Sequence, residues 1–119
     1  MKRRLIISTE ANDQASRSLI TAASDQNDAL RKRGINFWSS VDSSGNKLEA
    51  RGECEHLSDH EIEGIAETFA RLADRTSCVF EFQAIPGARA HGEMCTLHPK
   101  NEVDGRVVRA FLWEMFGEA

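Results

Sequence analysis

All three cysteines and all four histidines of the 119-residue chain lie between residues 54 and 98. Thiolate and imidazole are the ligands that tetrahedral zinc sites use, so this clustering makes a zinc-binding protein one alternative. The segment lacks the C-x2-C pair of a zinc knuckle, and a free cysteine can equally serve as a small apolar side chain in a core. The candidate ligands are Cys54, His56, Cys95 and His98, and the same cluster contains Cys78 and His91.

Charged residues on two predicted strands offer a second kind of chemistry. Glu49, Arg51 and Glu81 fall at positions that point away from the core, and two carboxylates on neighbouring strands can do acid–base work. Charged faces of antiparallel sheets are usually solvated without any such role. The sequence contains no G-x-S-x-G elbow, P-loop or G-x-G-x-x-G pattern. We therefore keep a small enzyme with a site on this face as an alternative and assign no catalytic residue.

The C-terminal segment carries the apolar side chains best suited to a protein partner. Its helical stripe includes Val103, Ala110 and Trp113 and is wider than one side of a small sheet usually covers. Burial of a large side chain against another subunit contributes roughly 1.5–3 kcal/mol before the costs of ordering. Trp38 is the aromatic residue that we expect on the open face of the sheet. The predicted partner-binding residues are Trp38, Phe111, Trp113, Phe116, Glu49, Arg51 and Glu81.

Apolar periodicity predicts the elements that would position these residues. Alternation of apolar and polar residues predicts strands at 4–9, 35–41, 47–54 and 78–85. Helical spacing predicts three helices. The first covers residues 12–33, the second begins at the capping box of Ser58 and Glu61, and the third begins after the N-cap Asn101. The polar run at 24–28 favours a break in the first helix. Residues 91–97 are predicted to form either a short fifth strand or a loop.

The order of these elements predicts the fold class. Strand, helix, strand, strand, helix, strand is the order of a βαββαβ unit. We therefore predict an α+β fold, a two-layer ferredoxin-like sandwich with an added C-terminal helix, as a single domain over residues 1–119. In such a sandwich the helices cover one face of the sheet and leave the other face open. Two-layer folds host many unrelated functions, so the fold class predicts no activity.

Composition and charge limit the classes of partner. No apolar run approaches the 18 residues of a membrane span, which argues against a membrane protein. The odd number of widely spaced cysteines favours reduced thiols and a cytoplasmic location. The net charge of −4 disfavours binding to a phosphate backbone. The predicted first and third strands also lack aromatic residues on which the bases of RNA could stack.

Taken as a set, these observations favour a non-enzymatic binding or regulatory protein that acts through protein–protein contacts. The predicted partner is a second copy of the chain, as in a homodimer, or a larger protein. A small acidic protein can also act as an inhibitor by occupying the basic groove of a nucleic-acid-handling protein, where negative charge speeds association. No cofactor is predicted apart from zinc in the alternative above.

Overall fold

A computed structural model describes residues 3–10, 12–85 and 93–117 of the chain. The elements in chain order are β1 (Arg3–Glu10), α1 (Asp13–Arg31), β2 (Trp38–Ser44), β3 (Lys47–Cys54), α2 (Asp59–Thr76), β4 (Phe80–Ile85), β5 (Glu93–Leu97) and α3 (Glu102–Phe116). The described strands form one antiparallel five-stranded sheet in the order β2-β3-β1-β4-β5. The fold is therefore α+β. Across the described residues, no helix is both long and apolar enough to cross a membrane.

Residues 93–97 form the strand that the sequence left as one of two alternatives. This strand, β5, pairs with β4 so that Cys95 lies opposite Phe82. The complete sheet thus has five strands, and its order differs from that of the four-stranded ferredoxin-like sandwich that we predicted. The added strand also gives α3 a surface to pack on, because α3 contacts both β5 and α2. His91, in the segment whose structure the sequence left ambiguous, lies outside the described residues.

The sheet is buried on one face and open on the other. In β1, Leu5 and Ile7 are fully buried, whereas Arg4 is exposed. The same alternation in β3 buries Leu48 and Ala50, because successive side chains of a strand point to opposite faces. The helices contact one another in chain order, α1 with α2 and α2 with α3, so they form one layer over the buried face. The open face predicted from the sequence is therefore confirmed.

Local capping signals set the starts of α2 and α3. Ser58 Oγ accepts a hydrogen bond from Glu61 N at 3.3 Å, and Glu61 Oε1 accepts one from Ser58 N at 2.8 Å. This capping box satisfies backbone N–H groups that the first turn of a helix leaves without partners. At α3, Asn101 Oδ1 accepts a hydrogen bond from Asp104 N at 3.0 Å. Both predicted helix starts are confirmed.

The polar run within α1 does not break the helix, contrary to our prediction. The helix continues without interruption over Asp13–Arg31. The Asn27 side chain accepts a hydrogen bond from Trp38 N and donates one to Trp38 O, both at 2.8 Å. Gln26 Oε1 accepts a hydrogen bond from the indole Nε1 of Trp38 at 2.7 Å. These side chains therefore bond to the start of β2 rather than to the backbone of their own helix, which removes the competition that would break it.

Trp38 lies in the core rather than on the open face. A bulge between Trp38 and Ser40 shifts the register of β2 against β3, so that Trp38 pairs with Gly52 on the buried face. Only 5% of Trp38 is exposed. Its ring centroid lies 4.8 Å from that of Phe37 and 5.8 Å from that of Phe69. The prediction that Trp38 binds a partner is therefore corrected, because this side chain joins β2 to α2.

Candidate binding surfaces

The sheet keeps the four predicted zinc ligands apart. Cys54 ends β3 and Cys95 lies in β5, with β1 and β4 between them, so their backbones are roughly 14 Å apart or more. Among the described residues, no group of three or more His, Cys, Asp or Glu side chains could hold a metal ion. His56 and His98 therefore do not complete a site with the two thiols. The prediction of one zinc site from these four side chains of a single chain is corrected, because the strand order separates them.

Burial disfavours the thiolate form of two of the cysteines in the absence of metal. It raises the pKa of Cys54 to about 12 and the pKa of Cys95 to about 11, and zinc binds the deprotonated thiolate. Cys54 belongs to the buried core, and Cys95 packs against that core. Cys78 is also buried, and its Sγ accepts a hydrogen bond from Asn12 Nδ2 at 3.2 Å. The cysteines therefore serve as small core side chains.

His98 has a structural contact of its own. Its ring Nδ1 lies 2.7 Å from Asp104 Oδ2, and its backbone N donates a hydrogen bond to the same oxygen at 2.9 Å. The backbone and ring hydrogen bonds from His98 lower the pKa of the Asp104 carboxyl. A carboxylate in the first turn of α3 also interacts favourably with the positive end of the helix dipole. His98 thus ties the residue that follows β5 to the start of α3.

Two of the predicted partner-binding residues in α3 are core residues. Phe111 is buried and Phe116 is fully buried, with its ring centroid 6.0 Å from that of Phe37. The backbone O of Phe116 also accepts a hydrogen bond from Leu57 N at 2.7 Å. The prediction that Phe111 and Phe116 face a partner is therefore wrong, because α3 packs on both α2 and β5 and buries its larger apolar side against them.

A second, narrower apolar stripe on α3 stays exposed. We call it the α3 stripe, and it consists of Val103, Val107, Ala110 and Trp113, whose spacings of four, three and three residues place them on one side of a helix. Val103 is 63% exposed, Val107 is 47% exposed and Trp113 is 49% exposed. Trp113 Nε1 donates a hydrogen bond to Asp59 Oδ1 at 2.7 Å, which fixes the indole beside the start of α2. Of the aromatic residues predicted to bind a partner, Trp113 is the one whose side chain is exposed.

The open sheet face carries a row of carboxylates. Asp42 of β2 lies opposite Glu49 of β3, while Glu49 and Glu81 both lie opposite Ser8 of β1. Like charges on neighbouring strands repel each other, so a cationic group bound here would relieve that repulsion. Arg51 supplies one such group, since its Nη2 lies 3.0 Å from Glu49 Oε2. Glu49 and Glu81 are two strands apart, about 10 Å between backbones, and the three predicted residues share one surface.

A groove of about 730 Å³ separates α1 from α2. At one end Arg33 and Glu61 form a two-pronged ion pair, with Nε to Oε2 at 2.7 Å and Nη2 to Oε1 at 2.8 Å. This pair joins the end of α1 to the start of α2, so the two helices run antiparallel. The groove is also lined by Arg17, Arg71 and Arg75, which antiparallel packing brings together at the opposite end. No motif in the sequence marks this site, because its walls belong to two separate helices.

Glu61→Gln is expected to lower stability most at neutral pH. Burial opposes ionisation of Glu61, but hydrogen bonds from Arg33 and Ser58 outweigh burial and lower the pKa below the ordinary value of 4.5. The glutamine side chain can still accept the hydrogen bond from Ser58 N, but it has no negative charge to pair with Arg33. We expect a loss of about 1 kcal/mol near neutral pH, a modest figure because the guanidinium is about half exposed to water.

The lowered pKa of Glu61 gives this loss a definite pH dependence. A carboxyl whose folded pKa lies below its unfolded pKa stabilises the fold above the unfolded value, and the contribution disappears as the pH falls through the folded value. The difference in unfolding free energy between wild type and Glu61→Gln should therefore shrink from about pH 6 to about pH 3 in urea titrations. Glu67→Gln, at an exposed position on the same helix, is the control. A difference that stays constant over this range would contradict the prediction.

Comparisons with known proteins assign no family to the chain. No family model matches it. Neither a curated protein nor a solved structure matches it either. The α3 stripe, the open sheet face and the groove between α1 and α2 are therefore the surfaces on which a functional assignment rests.

Proposed function

We propose that the chain is a non-enzymatic protein-binding module that forms a homodimer through the α3 stripe. The single observation that carries this proposal is the exposure of Val103, Val107 and Trp113 on one side of a helix whose other large apolar side chains are buried. Scattered exposed apolar residues need no explanation, but a contiguous stripe on one helix is typical of an interaction site. A protein partner that covers it removes this apolar surface from water.

The α3 stripe is complementary to itself in an antiparallel pair of helices. With a two-fold axis at Ala110, small side chains meet where the helices cross, which lets the two backbones approach closely. The helical positions then bring Arg106 of each copy beside Trp113 of the other copy. A guanidinium is attracted to the face of an indole ring, so this contact favours the pair. Val103 and Val107 contribute the apolar area around the crossing point.

The dimer is expected to be weak. One face of a 15-residue helix covers less area than the roughly 1,600 Å² of a standard protein interface. Each large apolar side chain contributes roughly 1.5–3 kcal/mol before ordering costs. We therefore expect a dissociation constant on the order of 10–100 μM, so that the chain passes between monomer and dimer as its concentration changes.

Ala110→Glu is expected to abolish the dimer without unfolding the chain. Ala110 is exposed in the middle of α3, and glutamate is a good helix former, so the monomer should tolerate the change. At the two-fold axis, however, the two glutamates would face each other and repel. Sedimentation equilibrium should show wild type as a monomer–dimer mixture at about 100 μM and the variant as a monomer. Met94→Glu, which adds the same charge at an exposed position on the open sheet face, should dimerise like wild type.

Two outcomes of the sedimentation experiment would contradict this assignment. A wild-type chain that is still monomeric at about 1 mM would contradict the proposed homodimer. A dimer that persists in Ala110→Glu and is lost in Met94→Glu would show that the interface lies on the open sheet face. Circular dichroism of each variant, compared with wild type, keeps loss of assembly distinct from loss of the fold.

The row of carboxylates on the open sheet face supports a second binding role. Asp42, Glu49 and Glu81 present negative charges on three strands of one surface. Such a surface attracts a basic protein surface and raises the rate of encounter with it. An inhibitor that occupies the basic groove of a nucleic-acid-handling protein would use a surface of this kind, and that role stays a prediction.

We also propose that the first four strands and the first two helices form a ferredoxin-like unit within the larger sheet. These strands stand side by side in the order β2-β3-β1-β4, and α1 and α2 connect β1 to β2 and β3 to β4. Because β1 is antiparallel to both β3 and β4, the order supports the split connections of a βαββαβ unit. The strand β5 and the helix α3 are then additions to that unit, and the proposed dimer contact belongs to the added part.

A further inference from the structure

We infer that the groove between α1 and α2 is a separate binding site for a single-chain anionic amphiphile. The carboxylate or phosphate head of the ligand lies at Arg17, Arg71 and Arg75, and its apolar chain lies along the floor of the groove. This site is independent of the α3 stripe, which is on another helix. Three properties of the groove carry the inference: its charge, its floor and its length.

Three arginines lie at one end of the groove, whereas Asp25 and the Arg33–Glu61 ion pair line the rest of it. Arg17 lies near the start of α1, and Arg71 and Arg75 lie in the last part of α2. Because the two helices run antiparallel, these three arginines lie at the same end of the groove. Within the described part of the chain, neither Arg17 nor Arg75 forms an ion pair, and Arg71 has only a long, exposed contact of 3.7 Å with Glu67. Three arginines on a chain of net charge −4 make a local site for an anion, because guanidinium groups bind carboxylate and phosphate oxygens well.

The floor of the groove is apolar and is left open by a glycine. Leu30, Ile65 and Leu72 are buried core residues that reach the groove from the two helices. Gly64 also lines it, in the interior of α2, and a Cβ added there would meet no atom within 4 Å. Glycine lowers the stability of a helix interior relative to alanine, so its presence beside empty space leaves room that the protein itself does not fill.

The length of the groove suits an extended chain. From Arg17 to Leu30 the α1 wall is about 20 Å long at the helical rise per residue. The buried apolar residues Leu30, Ile65 and Leu72 line this length, and the three arginines lie at one end of it. A single hydrocarbon chain with an anionic head matches both the length of the apolar floor and the position of the charge.

Gln26 supplies a natural reporter of occupancy. Its side chain lines the groove, and its Oε1 accepts the hydrogen bond from the Trp38 indole. Its Nε2 is buried and has no acceptor among the described residues, so Trp38 is the contact that holds this amide. A ligand in the groove should therefore shift the indole N–H resonance of Trp38. The indole of Trp113 bonds to Asp59, which does not line the groove, and should stay unchanged.

The test uses four probes below their micelle concentrations, with the intact chain. Isothermal titration calorimetry with dodecanoate and with dodecyl phosphate should show one site per chain. Dodecyltrimethylammonium, with the same chain and the opposite charge, should bind at least about tenfold more weakly, and so should inorganic phosphate, which has no chain. The tighter of the two anionic amphiphiles identifies the head group. In ¹H–¹⁵N spectra the Trp38 indole signal should move during either titration.

Two sets of variants test the head site and the floor separately. The triple variant Arg17→Gln, Arg71→Gln and Arg75→Gln should bind dodecanoate about tenfold or more weakly, because its anion partners are gone. The matched control, Arg31→Gln with Arg51→Gln and Arg109→Gln, removes three exposed arginines outside the groove and should bind like wild type. Gly64→Leu should block the chain while α2 stays folded, since leucine favours a helix.

Several results would overturn the inference. Absence of binding by dodecanoate and dodecyl phosphate, or equal affinity for dodecyltrimethylammonium, would exclude an anionic amphiphile. Unchanged affinity in the triple groove variant, or in Gly64→Leu, would show that the probe binds elsewhere. Inorganic phosphate binding as tightly as dodecyl phosphate would show that the apolar floor contributes nothing.

Discussion

Phe69→Ala is expected to destabilise the protein by about 3–5 kcal/mol. Phe69 is fully buried in α2, and its ring centroid lies 5.8 Å from those of Trp38 and Phe80 and 5.7 Å from that of Phe82. It therefore packs the helix layer onto β2 and β4 at once. Truncation removes buried apolar area, leaves a cavity and breaks three ring contacts, which is why the effect should be near the upper end for a single substitution.

The measurement is urea unfolding followed by circular dichroism. Because small domains have total stabilities of only about 5–15 kcal/mol, Phe69→Ala can leave much of the chain unfolded, so Phe69→Leu is measured beside it. The leucine variant fills most of the space and should lose about 1–2 kcal/mol. Val79→Ala, at a partly exposed apolar position, is the control and should change stability little. A loss below about 1.5 kcal/mol for Phe69→Ala would contradict the central place assigned to this ring.

Gly52→Ala is expected to destabilise the protein by about 1–3 kcal/mol, although alanine normally suits a strand better than glycine. Gly52 lies in β3 on the buried face, and a Cβ added there would overlap the Cε2 and Cδ2 atoms of Phe37. The Phe37 ring has little room to move, because it is fully buried between the rings of Trp38 and Phe116. The methyl group of alanine therefore forces a shift in a closely packed core.

A double-mutant cycle tests this close approach directly. In a Phe37→Leu background the smaller side chain leaves space, so Gly52→Ala should cost clearly less than it does in wild type. Gly105→Ala is the matched control, since a Cβ at that helical glycine would meet no atom within 4 Å. It should raise stability by about 0.5–1 kcal/mol. Equal costs of Gly52→Ala in the two backgrounds would rule out Phe37 as the cause.

The parts of the fold that the sequence predicts correctly depend on local interactions. The capping box of Ser58 and Glu61 and the N-cap at Asn101 act within four residues, so each can be recognised without knowledge of the rest of the chain. The alternation over Lys47–Cys54 likewise reports which side of β3 faces the core. These elements can be predicted because the signals that mark them lie among neighbouring residues.

The errors arise where distant parts of the chain decide the outcome. The polar run in α1 stays helical because Asn27 bonds to Trp38, eleven residues further on. Trp38 turns inward because a bulge shifts β2 against β3. Phe111 and Phe116 become buried because β5 and α2 give α3 a place to pack. The groove depends on which sides of α1 and α2 face each other, and no pattern in either helix alone contains that information.

The bond between Asn27 and Trp38 also limits how the chain can aggregate. β2 is the outermost strand on one side of the sheet, and the backbone N–H and C=O of its first residue are both occupied by one side chain. The adjacent bulge further disturbs the regular ladder that an incoming strand would need. Addition of a further strand is therefore disfavoured where β2 begins.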